Sequence, residues 1–317
     1  MLNRDFTKSN KDYFAKNKIT LISVALFLVV GIIIAAIFGF NQNFELKGYY
    51  EFSINVTAEA DINECTKEIE KVVDEFGADF DLVSVFDEGD NTQLIVRFNK
   101  NLTEKTFAEM EAKLANKLIV DVDDIDEVYF VGPTAKSVDY VFTATAILLL
   151  VALTSVFAYF RYNGASAMAI IISCVLGTLA FMSLGAILRL SVGMSYFAML
   201  AILNLFIIYF ACDIFENMRK ESWLGSKEYS KAIESAMKAS RVRQLFITIS
   251  IMAVGMLLVL FATTPLKYVS LNVLFMAVVL LATIWYVVPF VWSALITLCK
   301  VKVYKVKATK VEEEIDK

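Results

Sequence analysis

The sequence predicts a membrane protein built on a bundle of six transmembrane helices, with an α+β domain inserted between the first two helices on the extracytoplasmic side. Of its 317 residues, 58% are apolar and 20% are charged. A globular chain of this length needs more polar surface than that composition leaves. The apolar residues are concentrated in long uncharged stretches, and one strongly acidic segment interrupts them.

Six stretches without Asp, Glu, Lys or Arg reach the roughly 20 residues that a helix needs to cross a bilayer. They are residues 19–40, 141–160, 165–188, 190–212, 245–266 and 268–299. The first could also be a cleaved secretory signal, but it is longer than the usual apolar core of about 7–15 residues, which favours an uncleaved anchor.

These stretches divide the chain into an arm, an anchor, a polar domain, a bundle and a tail. The predicted boundaries are 1–18 for the arm, 19–40 for the first transmembrane helix, 41–138 for the polar domain, 139–299 for the five-helix bundle with its loop 213–243, and 300–317 for the charged tail.

The distribution of charge predicts the orientation in the membrane. Segment 41–138 carries 22 acidic and 9 basic residues, so its net charge is 9 − 22 = −13, whereas the arm, the loop and the tail each have more basic than acidic residues. Because Lys and Arg near transmembrane helices favour the cytoplasm, we expect both termini in the cytoplasm and the acidic domain outside the cytoplasmic membrane. Arg189 and Lys267 then fall on the outer side, against this trend.

Within the polar domain, alternating and helical patterns predict six elements. They are strands at 50–56, 80–86, 93–98 and 126–131, and helices at 61–76 and 103–118. The order βαββαβ over about 90 residues is typical of a ferredoxin-like sandwich, in which both helices cover one face of the sheet.

Several functions are excluded by composition. The chain has no histidine, which excludes His-dependent catalysis and His-ligated zinc. The acidic clusters at 87–90 and 121–127 lack the ligand spacing of an EF-hand, so we interpret them as solvated surface. The acidic residues of loop 213–243 dilute its basic charge, which argues against nucleic-acid binding and favours a surface helix at 227–239. We expect no catalytic residue, cofactor, metal or enzymatic activity.

A charged motif follows the fourth predicted transmembrane helix. It consists of Asp213, Glu216, Asn217, Arg219 and Lys220. An ordinary helix C-terminus would account for these residue types, because basic side chains favour the negative end of the helix dipole and Asn217 can act as a cap.

Two shorter motifs flank the polar domain. Val131, Gly132 and Pro133 stand before the second transmembrane helix. The second motif follows the first transmembrane helix and comprises Glu45, Leu46, Lys47 and Gly48.

The three motifs, in this order, resemble those of the SecF family, a subunit of the bacterial protein-export machinery. Its fourth span ends in a D-R-I-R-E-N-x-R-K-like motif, which residues 216, 217, 219 and 220 match in register while Asp213 stands one place later. The family has F-V-G-P before its second span, as at 130–133 here, and D-F-T-G-G after its first span, where only Gly48 is identical.

The resemblance implies an accessory subunit of the Sec translocase that assists preprotein export without covalent chemistry. Its implied partners are a SecD-like subunit, the SecY/SecE/SecG channel, the emerging preprotein and the lipid bilayer. The alternative is a small-molecule or lipid exporter of the resistance-nodulation-division type. Such exporters carry two six-span halves and intramembrane carboxylates, whereas this sequence predicts one half and no such carboxylate. A membrane-embedded enzyme is a third alternative, for which no reactive constellation is found.

The sequence departs from the family where proton coupling is expected. An intramembrane His-Asp pair of the family corresponds to Leu176 and Gly177, and its L-N-D corresponds to Asn204 followed by apolar Leu205 and Phe206. With these departures, the resemblance implies that the chain has lost its own proton relay or depends on one in a partner.

Overall fold

The computed structural model describes residues 22–42, 44–57, 62–77, 80–87, 91–100, 102–133, 137–223, 229–261 and 264–298. The predicted arm 1–18 and the predicted tail 300–317 lie outside these ranges.

Five long apolar helices form the larger part of the described chain. Helix α5 is Ser137–Arg161, α6 is Gly164–Ile187, α7 is Met194–Trp223 and α8 is Tyr229–Phe261, and the fifth comprises α9 (Thr264–Ala282), a π-helical turn (Thr283–Val287) and α10 (Val288–Leu298). Each contains a segment long and apolar enough to cross a membrane. The chain is therefore a multi-pass membrane protein. Its first predicted transmembrane helix is represented by α1, Ile22–Phe38, which is apolar but shorter.

On either side of residues 213–243, helices α7 and α8 extend beyond the uncharged stretches that predicted them. Helix α7 continues to Trp223 and α8 begins at Tyr229, so most of the predicted loop is helical and α8 runs without a break into the fifth predicted transmembrane helix. A helix satisfies its own backbone hydrogen bonds in lipid and in water alike, so the first charged residue need not end it.

The π-helical turn Thr283–Val287 ends two residues before Pro289. Proline has no backbone N–H, and its ring collides with the carbonyl four residues earlier, here that of Trp285. The wider π-helical turn displaces this carbonyl and lets the helix continue as α10.

A small domain, the sheet domain (residues 44–131), lies between α1 and α5. It contains α2 (Phe44–Lys47), β1 (Tyr49–Thr57), α3 (Ile62–Glu75), β2 (Phe80–Asp87), β3 (Asn91–Phe98), α4 (Glu104–Leu118), a 3-10 turn (Val122–Asp124) and β4 (Tyr129–Val131). Neighbouring strands are antiparallel in the order β2-β3-β1-β4. Strand β4 is shorter than the predicted 126–131, because residues 126–128 do not join the ladder, although the Asp126 amide donates to the Ser53 carbonyl at 2.9 Å.

The alternation in β1 separates two faces of the sheet. Phe52 and Ile54 are fully buried together with Leu94 and Val96 of β3. They pack against apolar side chains of α3 and α4, among them Ile69, Val73, Met110 and Leu114. The helices therefore cover one face of the sheet, and the residues between, such as Glu51 and Ser53, point to the other.

The sheet face opposite α3 and α4 carries a polar cluster around Glu51, which is 8% exposed. Arg97 Nε donates to Glu51 Oε2 at 2.5 Å, and the hydroxyl of Tyr129 donates to Glu51 Oε1. The Arg97 guanidinium also stands 4.3 Å from the ring centroid of Tyr49. The cluster connects side chains of β1, β3 and β4. It therefore strengthens the attachment of the short β4, which backbone pairing alone would hold weakly.

We expect the Tyr129 phenol to lose its proton at a higher pH than an ordinary tyrosine. Its hydrogen bond to Glu51, followed by burial, raises the pKa of Tyr129 to about 12. This pKa lies above the ordinary value of about 10. The hydrogen bond from protonated Tyr129 therefore stabilises the folded protein fully below pH 10, and this stabilisation is lost as the pH rises towards 12. NMR of 13C-labelled tyrosine, assigned with Tyr129→Phe, measures the midpoint. Glu51→Gln should lower the midpoint, and the control Glu64→Gln on α3 should not; equal midpoints in all three proteins would contradict this prediction.

In the bundle, small residues permit close contact between helices. A Cβ atom added at Gly31 of α1 would lie 2.2 Å from Ser183 Cβ of α6, and one added at Gly185 would lie 2.5 Å from the Tyr196 hydroxyl of α7. Close contact of this kind favours helix association in lipid, because the hydrophobic effect does not drive helices together there and van der Waals packing must do so. These contacts hold α1 and α7 directly against α6.

Candidate functional site

The charged motif at 213–220 lies on the last turns of α7, at the end of the bundle away from the sheet domain, which we call the far end. The Asp213 side chain is 10% exposed and accepts a hydrogen bond from Arg243 Nη1 of α8 at 2.7 Å. Between the polar residues of the motif, Ile214, Phe215 and Met218 are buried in the bundle core. One face of α7 thus packs inward while its polar residues reach the neighbouring helices.

Two further contacts connect α7 to its neighbours. Asn217 Nδ2 donates to Ser240 Oγ of α8 at 2.7 Å. Arg161, the last residue of α5, places Nη2 3.3 and 3.4 Å from the two carboxylate oxygens of Glu216. Three motif residues therefore hold α5, α7 and α8 together at the far end, which a simple helix terminus would not require.

The other two motif residues, Arg219 and Lys220, belong to the same helix end. Arg219 is half-buried and Lys220 is exposed. Both stand in the last turns of α7, where cations are favoured by the negative end of the helix dipole.

An aromatic cluster lies beside these polar contacts. The Phe215 ring is 5.6 Å from that of Tyr162 and 4.8 Å from that of Trp292, measured between centroids. Trp292 Nε1 donates to the buried Ser166 Oγ at 3.1 Å. The cluster links α10 to the start of α6 and extends the connected region across the far end of the bundle.

The two shorter motifs meet at the base of the sheet domain. Gly48 has φ +78°, and a Cβ atom there would lie 3.0 Å from both the Phe130 ring and the Val131 carbonyl oxygen, and 3.2 Å from Pro133 Cδ. Only glycine adopts that backbone angle without strain and leaves room for this contact. Gly48 and residues 130–133 are distant in sequence and form one structural unit.

The remaining residues of these motifs surround that contact. Glu45 and Lys47 belong to α2, and Leu46 packs against the core of the bundle. Gly132 follows the last residue of β4, and a Cβ atom added there would have open space around it. The base of the sheet domain is thereby joined to the bundle.

Midway along the bundle, Asn204 of α7 is buried. Its Nδ2 donates to Thr178 Oγ1 of α6 at 2.9 Å and to the Leu200 carbonyl at 2.8 Å. Next to it, Gly177 of α6 approaches Ile207, because an added Cβ would lie 2.5 Å from Ile207 Cδ1. In the described chain, the buried polar side chains between the ends of the bundle are uncharged.

Three partners of the charged motif were not singled out from the sequence: Arg161, Ser240 and Arg243. The pairs Asp213–Arg243 and Asn217–Ser240 occupy mirrored positions on either side of the connection between α7 and α8. The two helices of a hairpin run antiparallel, so residues at equal distances from the connection lie at the same level and face each other. Their mirrored spacing is the signal that could have identified the two α8 residues.

The fold and its two polar regions define a class: multi-pass membrane proteins in which a four-stranded sheet domain precedes a bundle of five long helices. Solved structures of SecDF have this fold. The crystal structure of SecDF in its super-membrane-facing form aligns with a TM-score of 0.71 at 15% identity over 90% of this chain and 39% of that chain. That of SecDF from Thermus thermophilus, a translocon-associated membrane protein, gives 0.63 at 15% identity over 91% and 38%.

The chain thus spans about two fifths of the length of these SecDF chains. No protein-family model and no curated protein matches its sequence.

Proposed function

We propose that this protein is a SecF-like accessory subunit of the Sec translocase that assists preprotein export together with a SecD-like partner. The fold shared with SecDF over 90% of the chain carries the proposal. In this proposal the bundle forms one half of a pseudo-symmetric assembly and the SecD-like partner forms the other half; the chain aligns with about two fifths of a SecDF chain. The SecY/SecE/SecG channel and the emerging preprotein are the further partners of this proposal.

In this proposal the chain crosses the cytoplasmic membrane six times, with both termini in the cytoplasm. Helix α1 is the described part of the first crossing. The sheet domain is a ferredoxin-like sandwich outside the cytoplasm, a fold supported by the strand order β2-β3-β1-β4 and by helices packed on one sheet face. Its acidic composition agrees with that side of the membrane.

The far end of the bundle then lies at the cytoplasmic surface. There the motif residues Asp213, Glu216 and Asn217 fix α7 against α5 and α8, a positioning role that needs no covalent chemistry. The neutral pair Asn204–Thr178 lies in the part of the bundle where an ionisable group would be needed to carry protons. We therefore infer that the chain does not transport protons by itself.

The test is affinity purification of the full chain from native membranes under mild detergent, followed by mass spectrometry of the bound proteins. We expect SecD-like and SecY-like subunits to be retained. A membrane protein of similar expression and the same tag serves as control. Recovery of the intact chain without either subunit would contradict the proposal and favour the exporter of the resistance-nodulation-division type.

A further inference from the structure

The linker between α1 and the sheet domain is bound to the turn between α6 and α7. The Asn41 carbonyl accepts a hydrogen bond from the Val192 amide at 2.8 Å, and Asn41 Nδ2 donates to the Arg189 carbonyl at 3.1 Å. Gln42 and Val192 form an isolated parallel bridge. Two successive linker residues, Asn41 and Gln42, therefore contact the backbone of the turn.

Arg189 completes this attachment from the other side. Its Nη1 donates to the carbonyl oxygens of Phe38 at 3.2 Å and Gly39 at 2.9 Å. These carbonyls end α1, where the last turn of a helix leaves its acceptors without partners in the helix. The Arg189 cation thus caps α1 at the negative end of its dipole although it belongs to a different helix pair.

The backbone at Arg189 shows that its side chain is not required by the turn itself. Arg189 has φ +53°, and the turn is closed by the Leu190 amide, which donates to the Gly185 carbonyl at 2.9 Å. This is the position after a helix at which glycine is favoured because it adopts the left-handed conformation without strain. Glycine would make a better turn but could not reach α1.

Apolar side chains of the same linker are inserted in the bundle. Phe40 and Leu46 both pack against its core. On its other side, the linker continues through Gly48 into β1, the central strand that pairs with both β3 and β4. A displacement of the turn is therefore applied to the strand at the centre of the sheet domain.

We propose that Asn41, Arg189 and Val192 form a linker clamp that makes the sheet domain follow the α6–α7 hairpin, with Arg189 as its positioning residue. The clamp converts a movement of this hairpin in the membrane into a movement of the domain beside it. It also explains why a cation lies at this end of the bundle, where the charge distribution disfavours one.

Hydrogen exchange of the full chain in nanodiscs, resolved to single amides, tests the clamp. In Arg189→Gly we expect the Val192 amide to exchange about 10- to 100-fold faster, since two charge-assisted hydrogen bonds are lost. The Leu190 amide, which reports on the turn, should retain its protection. Lys71→Gln, which removes an exposed cation of α3, is the matched control and should change neither amide.

A second readout follows the domain itself. Spin labels at positions 117 of α4 and 188 at the end of α6, in a chain whose four native cysteines are replaced by alanine, report the distance between domain and bundle. We expect the distance distribution to become about twofold broader in Arg189→Gly and Asn41→Ala. Arg189→Lys keeps the charge but not the planar guanidinium, and should give an intermediate width.

The outcomes separate clearly. Faster exchange at Val192 alone with a broader distance distribution supports the clamp. If amide exchange becomes faster by the same factor at Leu190 and Val192, Arg189 stabilises the turn itself and the proposal is overturned. If Arg189→Gly does not fold, Asn41→Ala and Arg189→Lys provide the test. An unchanged distance distribution in both of these variants would likewise overturn the proposal. Neither readout depends on the partners of the chain, so the clamp can fail while the proposed function stands, and the reverse.

Discussion

Replacing Gly31 by leucine is expected to separate α1 from α6. The Cβ of any side chain at this position would lie 2.2 Å from Ser183 Cβ and 2.6 Å from Ser183 Cα. The second atom belongs to the backbone, so rotation of a side chain cannot relieve the collision. We expect Gly31→Leu to lower the free energy of unfolding by about 3 kcal/mol, the upper part of the range for overpacked sites.

Unfolding by SDS in mixed micelles measures this change. Disulfide cross-linking between Gln42→Cys and Val192→Cys, a bridged pair beside the end of α1, reports whether the helix has moved. The control is Gly164→Leu, because an added Cβ there would meet only the Tyr159 ring at 3.5 Å, an ordinary contact. Undiminished stability and cross-linking in Gly31→Leu would show that α1 does not pack on α6 through Gly31.

Removing the guanidinium of Arg243 is expected to leave the Asp213 carboxylate without its ion-pair partner at the far end of the bundle. Asp213 is 10% exposed at its side chain, whereas Arg243 is 56% exposed. An unpaired carboxylate in such a site is costly, although the partial exposure of the pair reduces the effect. We expect Arg243→Ala to lower the free energy of unfolding by about 2 kcal/mol.

A double-mutant cycle shows whether the charge is the cause. Asp213→Asn removes the carboxylate but not the side-chain volume, so it should recover most of the stability lost in Arg243→Ala. The matched control is Arg241→Ala, which removes an exposed cation from the same turn of α8. If Arg241→Ala and Arg243→Ala are equally destabilising in SDS unfolding, the ion pair with Asp213 does not stabilise the protein.

Much of the architecture was predictable because the bilayer and the sheet impose simple patterns. Uncharged stretches identified the five long helices, and alternation from Tyr50 to Val56 identified the central strand. The first part of α8 was predicted as a separate surface helix at 227–239; its continuation into the membrane was not predictable, since residues 229–243 contain charges that end a hydrophobic stretch but not a helix.

The candidate site was only partly predictable. The motif residues Asp213, Glu216 and Asn217 were recognised, but their partners lie on other helices, and a single sequence does not state which helix faces align. Arg189 illustrates the same limit. Its charge appears in the sequence as an exception to the orientation pattern, and only the folded chain brings its guanidinium to the end of α1.

The π-helical turn at Thr283–Val287 sets the rotational phase of the last helix. Each residue of an α-helix advances the chain by about 100° around its axis, and a π-helical turn accommodates one residue more than the α-helical path. If these same residues wound as a regular α-helix, α10 would turn by roughly that angle relative to α9. Trp292 would then leave Ser166 and Phe215. A single extra residue in mid-membrane thus determines which side of the final helix takes part in the contacts at the far end.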